Sequence, residues 1–347
     1  MHVVRPVEMG DLPKLEALAR RDNRRVHTLP QERAALERLV GESLESFGAP
    51  VPPPLSSGGR YIFVLQAPDG TLAGTASLLA QAGSGASFLS FRQDMMQQLS
   101  PDPLVCNDVA TLMLCSDLSG YSQLAGYHAP GADLGRTDKS LLACARLMYA
   151  ALAPQRFAGK FFASLPGQVD NDSQSPFWDA VGRHFFQMDF LQAESLLEGG
   201  RNQPLIVGLM PHYPVYMALL PEAAREAVGA ADPCAGDALS ILRGEGFEAY
   251  DYVDICDGGP VLQASAHALR SHASALRRRV ASRSAASPAG ALPYLVCNAR
   301  TRRFRAIAVH SDPLGQQQHI NLTSEQADLL EVENSDEVLC VAVGEQP

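Results

Sequence analysis

The stretch KSLLACARLMYAALAPQRF, residues 139–157, constrains the fold more than any other part of the chain. Leu141, Leu142, Ala145, Leu147, Met148 and Ala151 recur at helical spacing and make one broad apolar side. Such a helix is stable only where other elements cover it. Its neighbours have the composition to do so. SQLAGYHA (122–129) precedes it and FAGKFFASLPG follows it, and both read as strands.

The rest of the chain alternates in the same way. HVVRPV (2–7) is a strand, Gly10-Asp11 punctuates it, and LPKLEALARR carries Leu12, Leu15 and Leu18 on one helical face. Residues 31–47 form a second amphipathic helix, and VPPPLSSGG is a loop. YIFVLQAPDGTLAGTASLLA is a hairpin across a Pro-Asp-Gly turn. DVATLMLCSDL and SQLAGYHA are expected to pair with each other. Beyond residue 200, LIVGLMP and AYDYVDICDGGP read as strands on either side of the helix DALSILRGEGF. Residues 270–290 read as a helix end running into a linker, and short strands dominate from Tyr294 onward.

With 347 residues, 46% of them hydrophobic, the chain can build two cores. Its net charge of −10 and the lack of any long Lys/Arg stripe argue against a nucleic-acid or anionic-membrane partner. No apolar run reaches bilayer length, and MHVVRPVEMGDL lacks the features of a signal peptide, so a cytoplasmic location is expected. The seven cysteines are scattered singly and read as buried free thiols. No metal-ligand spacing is present, and no metal is expected.

The order strand, helix, helix, hairpin, strands, long helix, strand, helix resembles an acyl-CoA-dependent acyltransferase domain of the GNAT superfamily. The opening R-P-x-x-x-x-D (Arg5 to Asp11) fits that likeness. SPFWDAVGRHFFQMDF (175–190), LMPHYPVYMALLPEAA (209–224) and YVDICDGGPVL (252–262) sharpen it. Together they resemble the arginine N-succinyltransferase family over essentially the whole chain. CSDLSGYSQLAGY is similar to the α-subunit type. The resemblance implies a mixed α/β fold with two GNAT-like units, residues 1–200 and 201–285, and a small β-rich C-terminal subdomain at 290–347. It implies succinyl-CoA as acyl donor, arginine or ornithine as acceptor, and a homo-oligomer or an α/β hetero-oligomer.

By the same resemblance, the pantetheine arm of succinyl-CoA lies along the strand 122–129 and meets the backbone of Tyr127 and Ala129. The phosphate loop corresponds to APGADLGRTDKSLL, where Gly135, Arg136 and Lys139 supply N–H groups and charge. The compact R-x-x-G-x-G form is absent, and Asp133 and Asp138 oppose a phosphate. Where the family carries a proton-transferring histidine in V-H-P, this chain has Ala231-Asp232-Pro233. Asp232 is the candidate catalytic residue, or else a turn aspartate. A histidine titrating at about 6.5 suits proton shuttling better than an ordinary aspartate at about 4.

Arg92 is the candidate for the substrate carboxylate, and Asp170, Asp172 and Asp257 are candidates for its guanidinium. The DGGP turn at 257–260 permits either a close ligand approach or a simple tight turn. In SPFWDAVGRHFF, Phe177, Trp178, Val181, Phe185 and Phe186 are expected to form a packed helix face, with Ser175 as N-cap and Pro176 in the first turn. The altered phosphate loop, Asp232 in place of histidine, and Ser164-Leu165-Pro166-Gly167 where the family carries the acidic and basic pair of Glu-x-Arg-Gly leave two other readings open. One is a non-catalytic or regulatory α-type subunit that completes a β-chain site. The other is an acyltransferase for a different small amine.

Overall fold

The computed structural model describes residues 1–20, 29–30, 32–50, 58–85, 87–99, 106–131, 134–170, 172–197, 203–281 and 291–343. The chain opens with β1 (Val3–Pro6), α1 (Leu12–Ala19), α2 (Arg33–Gly48), β2 (Arg60–Gln66) and β3 (Leu72–Leu79). Next come β4 (Ser90–Leu99), β5 (Cys106–Cys115), β6 (Ser122–His128), α3 (Arg136–Leu152) and β7 (Lys160–Ser164). A helical stretch follows: α4 (Pro176–Ala180), α5 (Gly182–Phe186), α6 (Phe190–Leu197) and α7 (Gln203–Leu209). Then come β8 (Val215–Tyr216), α8 (Glu222–Ala227), α9 (Gly236–Glu245), β9 (Glu248–Val253), β10 (Pro260–Ser265) and α10 (Arg270–Ala273). The chain closes with β11 (Leu276–Ala281), β12 (Leu292–Asn298), β13 (Ala306–Ser311), β14 (His319–Asn321), α11 (Ser324–Leu330) and β15 (Glu337–Ala342).

These strands join in one mixed sheet of order β14-β11-β15-β12-β13-β1-β2-β3-β6-β7-β10-β9-β4-β5-β8. Among the described residues, only β6–β7 and β11–β14 run parallel. The strands of residues 201–285 are threaded into this sheet: β10 lies between β7 and β9, and β8 caps the edge beyond β5.

The helix that dominates the sequence is buried as its composition requires. Residues from Ser140 to Ala150 of α3 are buried on every side. The helix packs against the sheet through β2, β3, β12 and β13 and against α9 and α10, and Tyr149 packs against Phe47, Phe63 and Phe304 at ring distances of 5.2 to 5.5 Å. The C-terminal strands, α9 and α10 therefore share one core with the N-terminal hairpin. The R-P-x-x-x-x-D opening also has a structural reason. Arg5 Nη1 and Nη2 donate to the two carboxylate oxygens of Asp11 at 2.7 and 2.8 Å, closing the turn between β1 and α1.

Four expectations are corrected. LIVGLMP is not a strand but lies on α7, where Ile206 and Met210, one helical turn apart, are buried while Val207 and Leu209 are exposed. A short apolar run does not by itself tell a strand from a helix. LRRRVA is not a helix end. It is β11, where Arg277 pairs with Glu337 and the adjacent Arg278 donates to the Leu314 carbonyl. DVATLMLCSDL and SQLAGYHA are not partners: β5 pairs with β4 and β8, and β6 with β3 and β7.

The helix in SPFWDAVGRHFF breaks at Val181, where φ is −119° and ψ −72°. Gly182 sits so close to the indole of Trp178 that a Cβ there would lie 2.2 Å from the ring. The break lets Phe177, Trp178, Val181 and Phe186 enter a second core with Phe91, Leu112 and Val253, and leaves Phe185 exposed. Ser175 Oγ accepts the Trp178 N–H at 3.2 Å, the expected N-cap.

Candidate active site

The site begins where two parallel strands part. Ser122–Leu124 of β6 pair with Phe161–Ala163 of β7; β6 then runs on to His128 while β7 ends at Ser164. On its other side β6 carries a bulge. Thr75 pairs with His128 but Ser77 with Ala125, which leaves an extra residue on β6. Gly126 absorbs it at φ +56°, a conformation that glycine adopts without a Cβ penalty.

Over this gap lies a cleft of about 260 Å³. Its floor is residues 124–128 of β6 with Ala129 just beyond, and Ala163 to Pro166 at the end of β7. One wall is α3, through Lys139, Ala143 and Arg146; the other is Cys234 and α9, through Asp237, Ala238 and Leu242. Expected residues Tyr127, Ala129 and Lys139 are thus brought together. Gly135 is the N-cap of α3, and its carbonyl accepts the N–H groups of Asp138 and Lys139 at 3.1 Å. Arg136 Nη2 donates to Ser240 Oγ at 3.0 Å.

Charge in the cleft is unevenly matched. Lys139 Nζ spans to Asp237 Oδ2 at 2.6 Å. Tyr127 donates its hydroxyl to the Lys139 carbonyl at 3.3 Å, and burial pushes its pKa up. Arg146 is 2% exposed. It donates to the carbonyls of Ala143, Ser77 and Ala125 at 3.2, 3.3 and 3.2 Å, and no carboxylate among the described residues pairs with it. Desolvation of its charged form lowers its pKa to about 10. Asp133 lies outside the described residues, and Asp138 faces His2 Nδ1 at 3.2 Å.

Asp232 is buried at the turn that leads into α9 and is not itself among the residues that line the cleft. Its N–H donates to the Pro166 carbonyl at 2.8 Å, and its side chain accepts the Cys234 N–H at 2.8 Å. Asp257 is bound to the same loop from the other side: Oδ2 accepts the Gly167 N–H at 2.7 Å and Oδ1 the Gly259 N–H at 2.9 Å. A Cβ at Gly259 would lie 2.2 Å from the Leu165 carbonyl, so DGGP packs backbone to backbone on the segment that ends β7. Gly135, Arg136, Asp232 and Asp257 border the cleft without lining it, and Arg92, Asp170 and Asp172 also stand apart from the lining. Arg92, on β4, is held by Asp94 and Asp117 at 2.9 and 2.8 Å. Asp170 caps its own loop by accepting the N–H groups of Asp172 and Gln174 at 2.9 and 2.8 Å.

Comparison with known proteins bears on this arrangement. The family model described as "Arginine N-succinyltransferase beta subunit" matches residues 2–271, and the one for its C-terminal domain matches residues 277–342. The chain belongs to the arginine N-succinyltransferase family.

Relatives in the family include the arginine N-succinyltransferase subunit alpha of Pseudomonas aeruginosa, 36% identical over 99% of this chain and 100% of that one. The subunit beta of the same organism is 31% identical over 88% of each chain. An arginine N-succinyltransferase of Enterobacter sp. (strain 638) is 32% identical over 98% of this chain and 97% of that one. The solved structure of arginine/ornithine succinyltransferase subunit AI from Pseudomonas aeruginosa superposes with a TM-score of 0.90 at 33% identity, covering 99% of both chains. The boundary between the two family models falls between α10 and β11.

Four polar or titratable cleft residues lay outside the reading of the sequence: Arg146, His128, Cys234 and Asp237. Arg146 had a visible signal, a lone cation inside an apolar helix and two turns beyond Lys139. His128 and Cys234 had none, because nothing local to them marks which way they face.

Proposed function

We propose that this chain is an acyltransferase that moves a succinyl group from succinyl-CoA to the α-amine of arginine or ornithine. The observation that carries the proposal is the parting of parallel β6 and β7 beneath a cleft that Lys139, in the first turn of α3, lines at one end. An extended acyl chain fits such a gap by adding to the free edge of β6, with the backbone of Tyr127 and Ala129 as its contacts. The diphosphate would meet Gly135, Arg136 and Lys139 at the start of α3, where N–H groups and the helix dipole favour an anion. Asp237 must then release Lys139.

The amine has to be neutral to attack the thioester carbonyl, and Asp232 is the proton acceptor in this account. Backbone N–H groups at the β6 bulge stabilise the oxyanion. Asp257 acts through the loop that it fixes, by setting Ser164 to Gly167 against Asp232. Arg92 would meet the substrate carboxylate only by leaving Asp94 and Asp117, and Asp170 would serve by shaping its loop. We read the chain as two GNAT-like units sharing one sheet, with a C-terminal β-rich unit, working in the cytoplasm as a homo-oligomer or an α/β hetero-oligomer.

A second reading, an α-type subunit that needs a β chain for turnover, is favoured by Asp232 in place of histidine and by the Lys139–Asp237 pair. Thiol release from succinyl-CoA on adding arginine, ornithine or another amine to the purified chain, with products weighed by mass spectrometry, tests both. Succinylated arginine or ornithine supports the first reading. Release only after a β-type chain is added supports the second, and release with other amines alone contradicts both.

A further inference from the structure

Arg146 is the unusual residue of the cleft. It sits on the third turn of an almost wholly apolar helix, is buried, and lines the cleft with its charge unmatched by any described carboxylate. A buried guanidinium without a counter-charge is costly, and it draws in any anion that can reach it. Lys139, the other cation on this wall, already has Asp237. Of the Arg146 donors, Nε and Nη1 are used on backbone carbonyls, while Nη2 makes none of these bonds.

Its place along the cleft matters as much as its charge. Lys139 and Arg146 are seven residues apart on one helix, a rise of about 10 Å. With the diphosphate at the N-terminus of α3, Lys139 is at the phosphate end and Arg146 lies deeper. There it bonds the Ala125 carbonyl beside the bulge at Gly126, and its guanidinium carbon is 5.7 Å from the Tyr127 ring centre. That is the end at which an acyl group on the pantetheine arm would finish.

We propose that Arg146 reads the terminal carboxylate of the acyl donor, and so selects a dicarboxylic acyl-CoA over a neutral one. This rests on the reading of the cleft as the acyl-CoA site. A carboxylate arriving there gains a charge-assisted hydrogen bond from a group that is already fixed in place by three carbonyls. A neutral acyl chain of equal length would leave the guanidinium buried against a methyl group.

The test compares succinyl-CoA with butyryl-CoA, which has a methyl group in place of the carboxylate, on the full chain and on Arg146→Met and Arg146→Lys. Calorimetry on the unaltered chain is expected to show succinyl-CoA bound at least about tenfold more tightly, the scale of one charged hydrogen bond. Arg146→Met should bring the two within about twofold by weakening succinyl-CoA alone, and Arg146→Lys should restore part of the preference. Equal binding by the unaltered chain overturns the proposal, and does so even if Arg146→Met fails to fold. Parallel weakening of both donors in the variants also overturns it, because a merely structural arginine would act that way. A preference for succinyl-CoA without acyl transfer to any amine would sustain this inference while contradicting the proposed function.

Discussion

Lys139 and Asp237 face each other across the cleft, with Nζ 2.6 Å from Oδ2, and so link the first turns of α3 and α9. The lysine that a diphosphate would use is therefore held by a carboxylate from the opposite wall. The aspartate is 60% exposed, so the pair is screened and worth little to the fold. Asp237→Asn should leave the melting temperature within a few degrees and tighten CoA binding up to about fivefold, the worth of a surface pair. Lys139→Ala should weaken CoA binding by about tenfold or more. Calorimetry at low and moderate salt checks both, and weaker CoA binding by Asp237→Asn contradicts the latch.

Asp232 is the account's proton acceptor. Asp232→Asn should lower kcat by roughly a hundredfold or more and remove the acid limb of the pH–rate profile, because an amide cannot take the proton. Asn keeps an oxygen that accepts the Cys234 N–H, so this variant should hold its stability, whereas Asp232→Ala should also lose about 1 kcal/mol of it as the cap of that turn. Unchanged kcat with only that stability loss would reduce Asp232 to a turn residue.

The DGGP turn should prove structural in its glycines and positional in its aspartate. Gly259→Ala would force a Cβ into the Leu165 carbonyl and should lower stability by several kcal/mol, seen as an early urea transition. Asp257→Asn keeps the shape but loses one good acceptor, at a cost of about 1–3 kcal/mol. Gly182→Ala should destabilise the second core similarly, and Trp178, the chain's one tryptophan, reports it directly by fluorescence.

His272 makes stability pH-dependent. Burial lowers its folded-state pKa below the ordinary value of 6.5, although the Leu147 carbonyl at 3.1 Å opposes this. The unfolded chain then binds more protons than the folded one below that value, so stability is full above about pH 6.5 and falls as the pH drops through it. His272→Gln should flatten the melting temperature between pH 7 and pH 5. An equal pH slope in the variant contradicts the assignment.

Much of this fold is legible where one periodicity dominates. The helix read over 139–157 is found as Arg136–Leu152, ending before Pro154, and the hairpin with its Pro-Asp-Gly turn and the Ser175 cap are found as read. Local pattern fails where a long-range partner decides. LRRRVA becomes a strand only because β15 is there to pair with it, and LIVGLMP becomes a helix because Ile206 and Met210 both face the second core. The helix break at Val181, where Gly182 lies hard against the Trp178 ring, is marked by no spacing in the sequence. In the site, Tyr127, Ala129 and Lys139 come together because one strand and one helix carry them. Arg92 and Asp170 are drawn to nearer partners instead.

The central claim is that the cleft above the parted strands takes succinyl-CoA. Calorimetric titration of the purified chain with succinyl-CoA, repeated with Lys139→Glu, tests it most directly. The account predicts one site per chain in the micromolar range that the reversed charge at Lys139 abolishes. No measurable binding by the unaltered chain, or equal binding by Lys139→Glu, would contradict it.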